Sequence, residues 1–253
     1  MTKPRLPMTQ LPLALQLAPD ATFDTYLVEN ANAAAVAHAR ALGVGQRRDA
    51  VWLAGPAGVG KSHLLQAACV AAGRAYRRAI YVPLERRAEL DPGVLGNLGA
   101  LDLVTIDALE RVAGDAAWER ALFDLLNATA ESGSGVVLAA RAVPAQVGFS
   151  LRDLASRGAG AVLYRIAALT DDGQITALIR HAASRGLRLD RSAAQFLSHR
   201  VARDMGTLCR WLDWLDTAAL AAQQHVTIPL IRALLERRGS AANDAGRASN
   251  APA

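Results

Sequence analysis

The chain has 253 residues, 52% of them hydrophobic, enough for one large domain or two small ones with a real core. No apolar run reaches the ~18 residues of a membrane span, and the proline-broken N-terminus lacks a secretory apolar region. Net charge is +5, but residues 1–19 and residues 237–253 each carry +2, leaving +1 for 20–236, so DNA contact is expected to be indirect.

Two distant cysteines, Cys69 and Cys209, give no disulfide framework and fit a reducing cytoplasm. The five histidines (His38, His63, His181, His199 and His225) never fall at metal-ligand spacing, which argues against zinc. Of 28 basic residues only Lys3 and Lys61 are lysines. A chain that uses arginine almost everywhere keeps one interior lysine, and that position needs a reason.

Residues 1–20, with prolines at 4, 7, 12 and 19, read as a flexible tail. Short β-rich runs follow at Ala50–Ala54, Ala79–Val82, Leu103–Asp107, Val136–Ala140 and Val162–Ile166. Most are continuously apolar, as expected of parallel strands covered on both faces. Helical patterns such as Lys61–Ala72 and Ala116–Glu131 separate them, and this alternation predicts a parallel α/β sheet over 21–168. After Ile166 only helices are predicted: Asp171–Arg185, Arg191–Ala202, Met205–Gln223 and Ile228–Arg238. Thr170 is a good N-cap for the first, and Thr227 followed by Pro229 starts the last. The predicted class is therefore an α/β P-loop core followed by a small all-helical domain over 169–238. Residues 239–253 are small and polar and read as disordered.

Gly55-Pro56-Ala57-Gly58-Val59-Gly60-Lys61-Ser62 is a complete G-x-x-x-x-G-K-S between a strand and an apolar helix. Gly55, Gly58 and Gly60 let backbone N–H groups curl around phosphate oxygens, and the helix N-terminus adds partial positive charge. Lys61 supplies a compact cation for the β- and γ-phosphates, a task arginine's planar fork does not duplicate, and Ser62 suits Mg²⁺. Leu103-Val104-Thr105-Ile106-Asp107 is an apolar strand ending in a carboxylate, so Asp107 is expected to hold the same metal. The residue after Asp107 is Ala108, not a second acid, and Glu110 is expected to point elsewhere. Nucleotide binding with weak or no intrinsic hydrolysis follows.

An α/β P-loop core with a helical lid resembles AAA+ proteins, and four segments narrow the match. Thr22–Asn30 is similar to the adenine-side segment of the DnaA branch, and Asp153-Leu154-Ala155-Ser156-Arg157 to its box VII. Trp118–Gly133 and Thr227-Ile228-Pro229 match as well. With Gln10-Leu11-Pro12-Leu13-Ala14-Leu15 in front, the chain resembles, over about residues 10–236, the Hda family of DnaA regulatory inactivators.

The resemblance implies a bacterial cytoplasmic regulator, nucleoid-associated through the DNA-loaded sliding clamp, that promotes hydrolysis of ATP held by DnaA. ADP, or ATP, with Mg²⁺ is the implied cofactor; a homo-oligomer stays open. Gln10, Leu11, Leu13 and Leu15 become the clamp-binding peptide, Arg157 an arginine finger in trans, and Phe123 and Asn127 contacts to DnaA. Too few residues follow the last helix for the DNA-binding module that DnaA carries. Two positions depart from the pattern. Arg141 stands after the fourth strand, where an Asp or Asn sensor is expected. Gly206 stands at the lid sensor position, leaving Arg210 or Arg203 to supply its charge. Both departures suit a protein that holds its nucleotide structurally. Two other classes compete: a DnaC/IstB-like helicase loader, which needs a basic single-strand groove, and a small-molecule P-loop kinase.

Trp211 and Trp214, three apart on a lid helix, are expected to pack in a core rather than to stack on a nucleobase.

Overall fold

The computed structural model describes residues 17–18, 20–202, 204–222 and 225–237. The apolar runs become five parallel strands: β1 Ala50–Ala54, β2 Ala79–Pro83, β3 Leu103–Asp107, β4 Gly135–Ala140 and β5 Val162–Arg165. Their order across the sheet is β2-β3-β4-β1-β5. β1 lies between β4 and β5, with Val51 opposite Val137 on one side and Val162 on the other.

Strand alternation assigns the two sheet faces. Val51 and Leu53 of β1 join a core with helices α1 (Ala33–Gly43) and α2 (Lys61–Arg74). Trp52 and Ala54 turn to the other face and meet helix α3 (Ala116–Ser132), helix α4 (Arg152–Ala159) and two 3-10 segments between β2 and β3. Both faces being covered, β3 and β4 are buried throughout, which is why they read as unbroken apolar runs. β5 departs from that expectation. It is an edge strand, with Val162 and Leu163 about 40% exposed (40% and 42%).

α3 forms as the sequence predicts. Asp115 caps it by accepting from the N–H groups of Ala117 and Trp118, and Gly133 ends it at φ 70°. Its buried positions 118, 122, 125, 126 and 129 trace one helical stripe. α1 and α4 were not anticipated.

The C-terminal helices are α5 (Asp171–Ser184), α6 (Arg191–Ser198), α7 (Met205–Ala222) and α8 (228–237). Thr170 accepts the Gly173 N–H as the expected N-cap of α5. α6 stops four residues short of its predicted end. Leu178, Leu197, Leu208, Leu212, Leu215 and Ile231 form a separate core. Trp211 and Trp214 pack edge to face within it, centroids 4.9 Å apart, as expected of core residues. Among the described residues no helix is long and apolar enough to cross a membrane.

One buried carboxylate joins three parts of the body. Glu119, 1% exposed on α3, accepts from the N–H groups of Gly114 (2.6 Å), Ser150 (3.0 Å) and Leu151 (2.7 Å). Glu119→Ala leaves those donors without an acceptor in the interior. It is expected to cost about 3 kcal/mol, read as a lower urea midpoint, with Glu119→Gln costing less because one oxygen still accepts.

Candidate nucleotide site and a second groove

The carboxyl ends of β1, β3 and β4 meet at one edge of the sheet, and the G-x-x-x-x-G-K-S loop leaves β1 there. Its glycines are required by space as well as by backbone. A Cβ on Gly55 would stand 2.3 Å from the Ile166 carbonyl oxygen, and Gly58 and Gly60 have φ of 75° and 96°. Lys61 is buried under the loop, its Nζ donating to the Gly55 (2.7 Å) and Pro56 (2.6 Å) carbonyls. Burial pulls its pKa below the usual lysine value, with the Asp107 carboxylate opposing.

Asp107 ends β3 directly beside this loop. Burial raises its pKa; the Ser62 hydroxyl, the Tyr81 hydroxyl (2.9 Å), the Ala108 N–H (2.9 Å) and Lys61 work the other way. Ala108 takes a left-handed backbone, φ 58°, that turns the chain sharply after the acid. Ser62 and Asp107 thus bring a hydroxyl and a carboxylate together, a hard-oxygen set that suits Mg²⁺.

A cleft of about 580 Å³ opens over these groups. The loop, Asp107, Glu110 and Arg141 line it from the sheet side, and Leu169, Ala177, His181 and the start of α7 from the lid side. The lid touches the loop directly: the Met205 N–H donates to the Gly58 carbonyl at 3.1 Å. A Cβ on Gly58 would run into the Asp204 side chain at 2.6 Å. Asp204 in turn accepts from the Thr207 N–H (2.8 Å) and so caps α7. Arg210 lines the cleft with its Nη2 on the Thr207 hydroxyl (2.7 Å); Arg203 lies outside the described residues.

The expectation that Glu110 points elsewhere is wrong. It lines the cleft, and both its oxygens are engaged by Arg141, Oε1 with the guanidinium Nε and Oε2 with the backbone N–H, each at 3.1 Å. The sharp turn at Ala108 redirects the chain, which residue spacing alone did not reveal.

Segment 20–30 straps lid to body. Asp20 accepts from His181 Nδ1 (3.1 Å) and from Arg185 Nε and Nη2 (3.0 and 2.8 Å), and Arg185 continues to Asp213 (2.6 Å). The His181 hydrogen bond, with the Arg185 guanidinium, holds the Asp20 carboxyl well below its usual range. Arg180 donates to the Tyr26 carbonyl (3.1 Å), and Thr170 to Glu29 (2.8 Å). His63 hydrogen-bonds the Thr22 carbonyl (2.7 Å) between the rings of Tyr26 and His181. The lid contacts of Asp20, Tyr26 and Glu29 were not singled out from sequence, since they join residues 141–165 positions apart with no local motif.

A second groove, about 570 Å³, lies between α3 and α4. It brings Phe123, Asn127 and Arg157 together, although the first two sit 30 or more positions from the third. Arg157 is exposed, and Phe123 is half-buried under the Arg120 guanidinium (5.7 Å). Gln10, Leu11, Leu13 and Leu15 lie outside the described residues.

A P-loop after the first strand, a five-stranded parallel sheet with that strand between its fourth and fifth, and a helical lid over the loop define the AAA+ fold. The lid can be assigned more narrowly: residues 171–235 match the family model described as Hda, lid domain. Domain III of the replication initiation protein DnaA from Thermotoga maritima superimposes with a TM-score of 0.75 at 20% identity, covering 88% of this chain and 98% of that one. AMPPCP-bound DnaA from Aquifex aeolicus gives 0.63 at 22% identity over 79% of this chain and 66% of that one. The RuvB Holliday junction branch migration motor of Thermotoga maritima gives 0.58 at 16% identity over 81% and 68%. The fold is thus DnaA-like, and its lid region is similar to the Hda lid model over residues 171–235.

Burial drives the His63 pKa from 6.5 down to about 4. Between those values the unfolded chain takes up a proton that the folded chain refuses, so stability falls as pH falls through this window. The loss reaches about 3 kcal/mol at most. His63→Gln, which can still donate to Thr22, is expected to flatten that part of a urea-midpoint profile against pH.

Proposed function

We propose that the chain is a nucleotide-bound regulator of replication initiation that docks on the sliding clamp and stimulates ATP hydrolysis by DnaA. The observation that carries the reading is the convergence of Phe123, Asn127 and Arg157 on the α3–α4 groove, outside the chain's own nucleotide cleft. An exposed arginine beside an aromatic and an amide suits a partner's surface, where the guanidinium reaches a phosphate that is not this chain's own. The Hda-type lid over 171–235 supports the same reading.

In its own cleft Gly55, Gly58, Gly60, Lys61 and Ser62 cradle the phosphates of ADP or ATP. Ser62 and Asp107 hold Mg²⁺, and Arg210 offers a lid-side charge. Held by these two residues, the metal would supply positive charge against the phosphates. Ala108 stands where a second acid would orient an attacking water, and Glu110 is paired with Arg141, which supports weak intrinsic turnover. Gln10, Leu11, Leu13 and Leu15 supply a polar group and three apolar anchors to a groove on the clamp. DNA is reached through that clamp in the bacterial cytoplasm, at the nucleoid.

The test is hydrolysis of DnaA-bound ATP with this protein, with and without DNA-loaded clamp. Stimulation is expected only with the clamp. Arg157→Ala is expected to reduce it by about 10³-fold with an unchanged melting temperature, because the side chain is exposed. Clamp-independent binding of single-stranded DNA with no effect on DnaA would instead support the helicase-loader class.

A further inference from the structure

The amino end of the sheet, opposite the nucleotide cleft, carries a different surface. Asp49, Arg78 and Asp102 stand there directly before β1, β2 and β3. Helix α2 ends at the same corner in a Schellman turn: the Tyr76 N–H donates to the Gly73 carbonyl (3.0 Å) and the Arg77 N–H to the Ala72 carbonyl (2.9 Å). Glycine is the usual residue at the left-handed position of that turn, yet here it is a tyrosine, at φ 56°. Tyr76 is 99% exposed, so both ring faces are open and no packing offsets the strained backbone.

Arginines surround that ring. The Arg77 guanidinium donates to the Gly43 (2.8 Å) and Asp102 (3.0 Å) carbonyls, which brings the end of α1 and the exposed Arg47 and Arg48 to the same corner. Arg74 and Arg78 flank Tyr76 on its own segment. These five arginines stand against three carboxylates, Asp24, Asp49 and Asp102, a local +2 that the total over 20–236 averages away. We propose that this corner is a binding site for single-stranded nucleic acid, with a base stacked on Tyr76 and adjoining phosphates held by Arg48, Arg74 and Arg78.

A solvated ring among guanidinium groups fits a base flanked by phosphates better than it fits a protein, whose contact surface is built round a packed apolar centre. On the segments 44–48 and 74–78 the one other exposed large apolar residue is Val44. The arginines can turn to phosphate at little cost. Arg74 meets Asp24, and Arg78 meets Asp102, each at 3.5 Å between exposed side chains, where such pairs are weak. Asp102 keeps the Arg78 backbone N–H (2.8 Å), so its carboxylate is not stranded when the guanidinium leaves. Arg48 is exposed and pairs with no carboxylate among the described residues. Phosphate accepts the planar fork of each arginine. Lying at the far end of the sheet from the phosphate loop, the site requires neither a bound nucleotide nor the clamp.

The test is fluorescence anisotropy of the full chain, without clamp, with a labelled oligothymidylate and with its duplex with oligodeoxyadenylate. Wild type is expected to bind the single strand more tightly than the duplex. Tyr76→Gly is expected to weaken single-strand binding about tenfold. Its melting temperature is expected not to fall, because glycine accepts the left-handed turn and no packing is lost. Arg48→Ala is expected to reduce the slope of log K against log salt by about 0.7, one phosphate contact on a single strand. No binding by wild type, or equal binding by wild type and Tyr76→Gly, would overturn the site. If Tyr76→Gly kept full oligonucleotide binding but lost stimulation of DnaA, the ring would belong to a protein partner and the proposal would likewise fall.

Discussion

Inserting β1 between β4 and β5 is the constraint on which the rest of the molecule depends. The chain must then leave the middle of the sheet for its far edge at β2, and no connection covers the carboxyl end it leaves behind. Phosphate loop, Asp107 and Arg141 all lie at that end of the sheet because each ends or follows a strand that stops there. The lid helices close it from above through the contact of the Met205 N–H with the Gly58 carbonyl.

The lid has a core of its own, joined to the body by a polar seam and by the edge-to-face rings of Tyr26, His63 and His181. Asp20, His181, Arg185 and Asp213 form one chain of hydrogen bonds, and Glu29 with Thr170 makes another. Charge-assisted contacts of this kind set direction more than they add stability. They fix how the lid faces the cleft while leaving each core intact.

Much of this was legible in the residues. Unbroken apolar runs gave the parallel strands within one or two positions, because burial on both faces leaves no polar position to blur the pattern. β5 was read correctly as a strand but not as an edge, since its valine and leucine look the same in either setting. Lys61 stood out by composition alone. Glu110 was misjudged because its direction depends on the left-handed turn at Ala108, a conformation that an alanine does not advertise. α4 was missed because it is eight residues long, with too little periodicity to register.

That brevity has its own consequence. Leu151 at the start of α4 offers no side-chain cap, and a helix of two turns frays readily. Glu119 takes the Ser150 and Leu151 N–H groups from across the groove, so α4 is capped by a neighbour. The aim of Arg157 is therefore inherited from α3. Any drift of α3 along its own axis would swing the guanidinium, although α3 carries no residue of the DLASR segment.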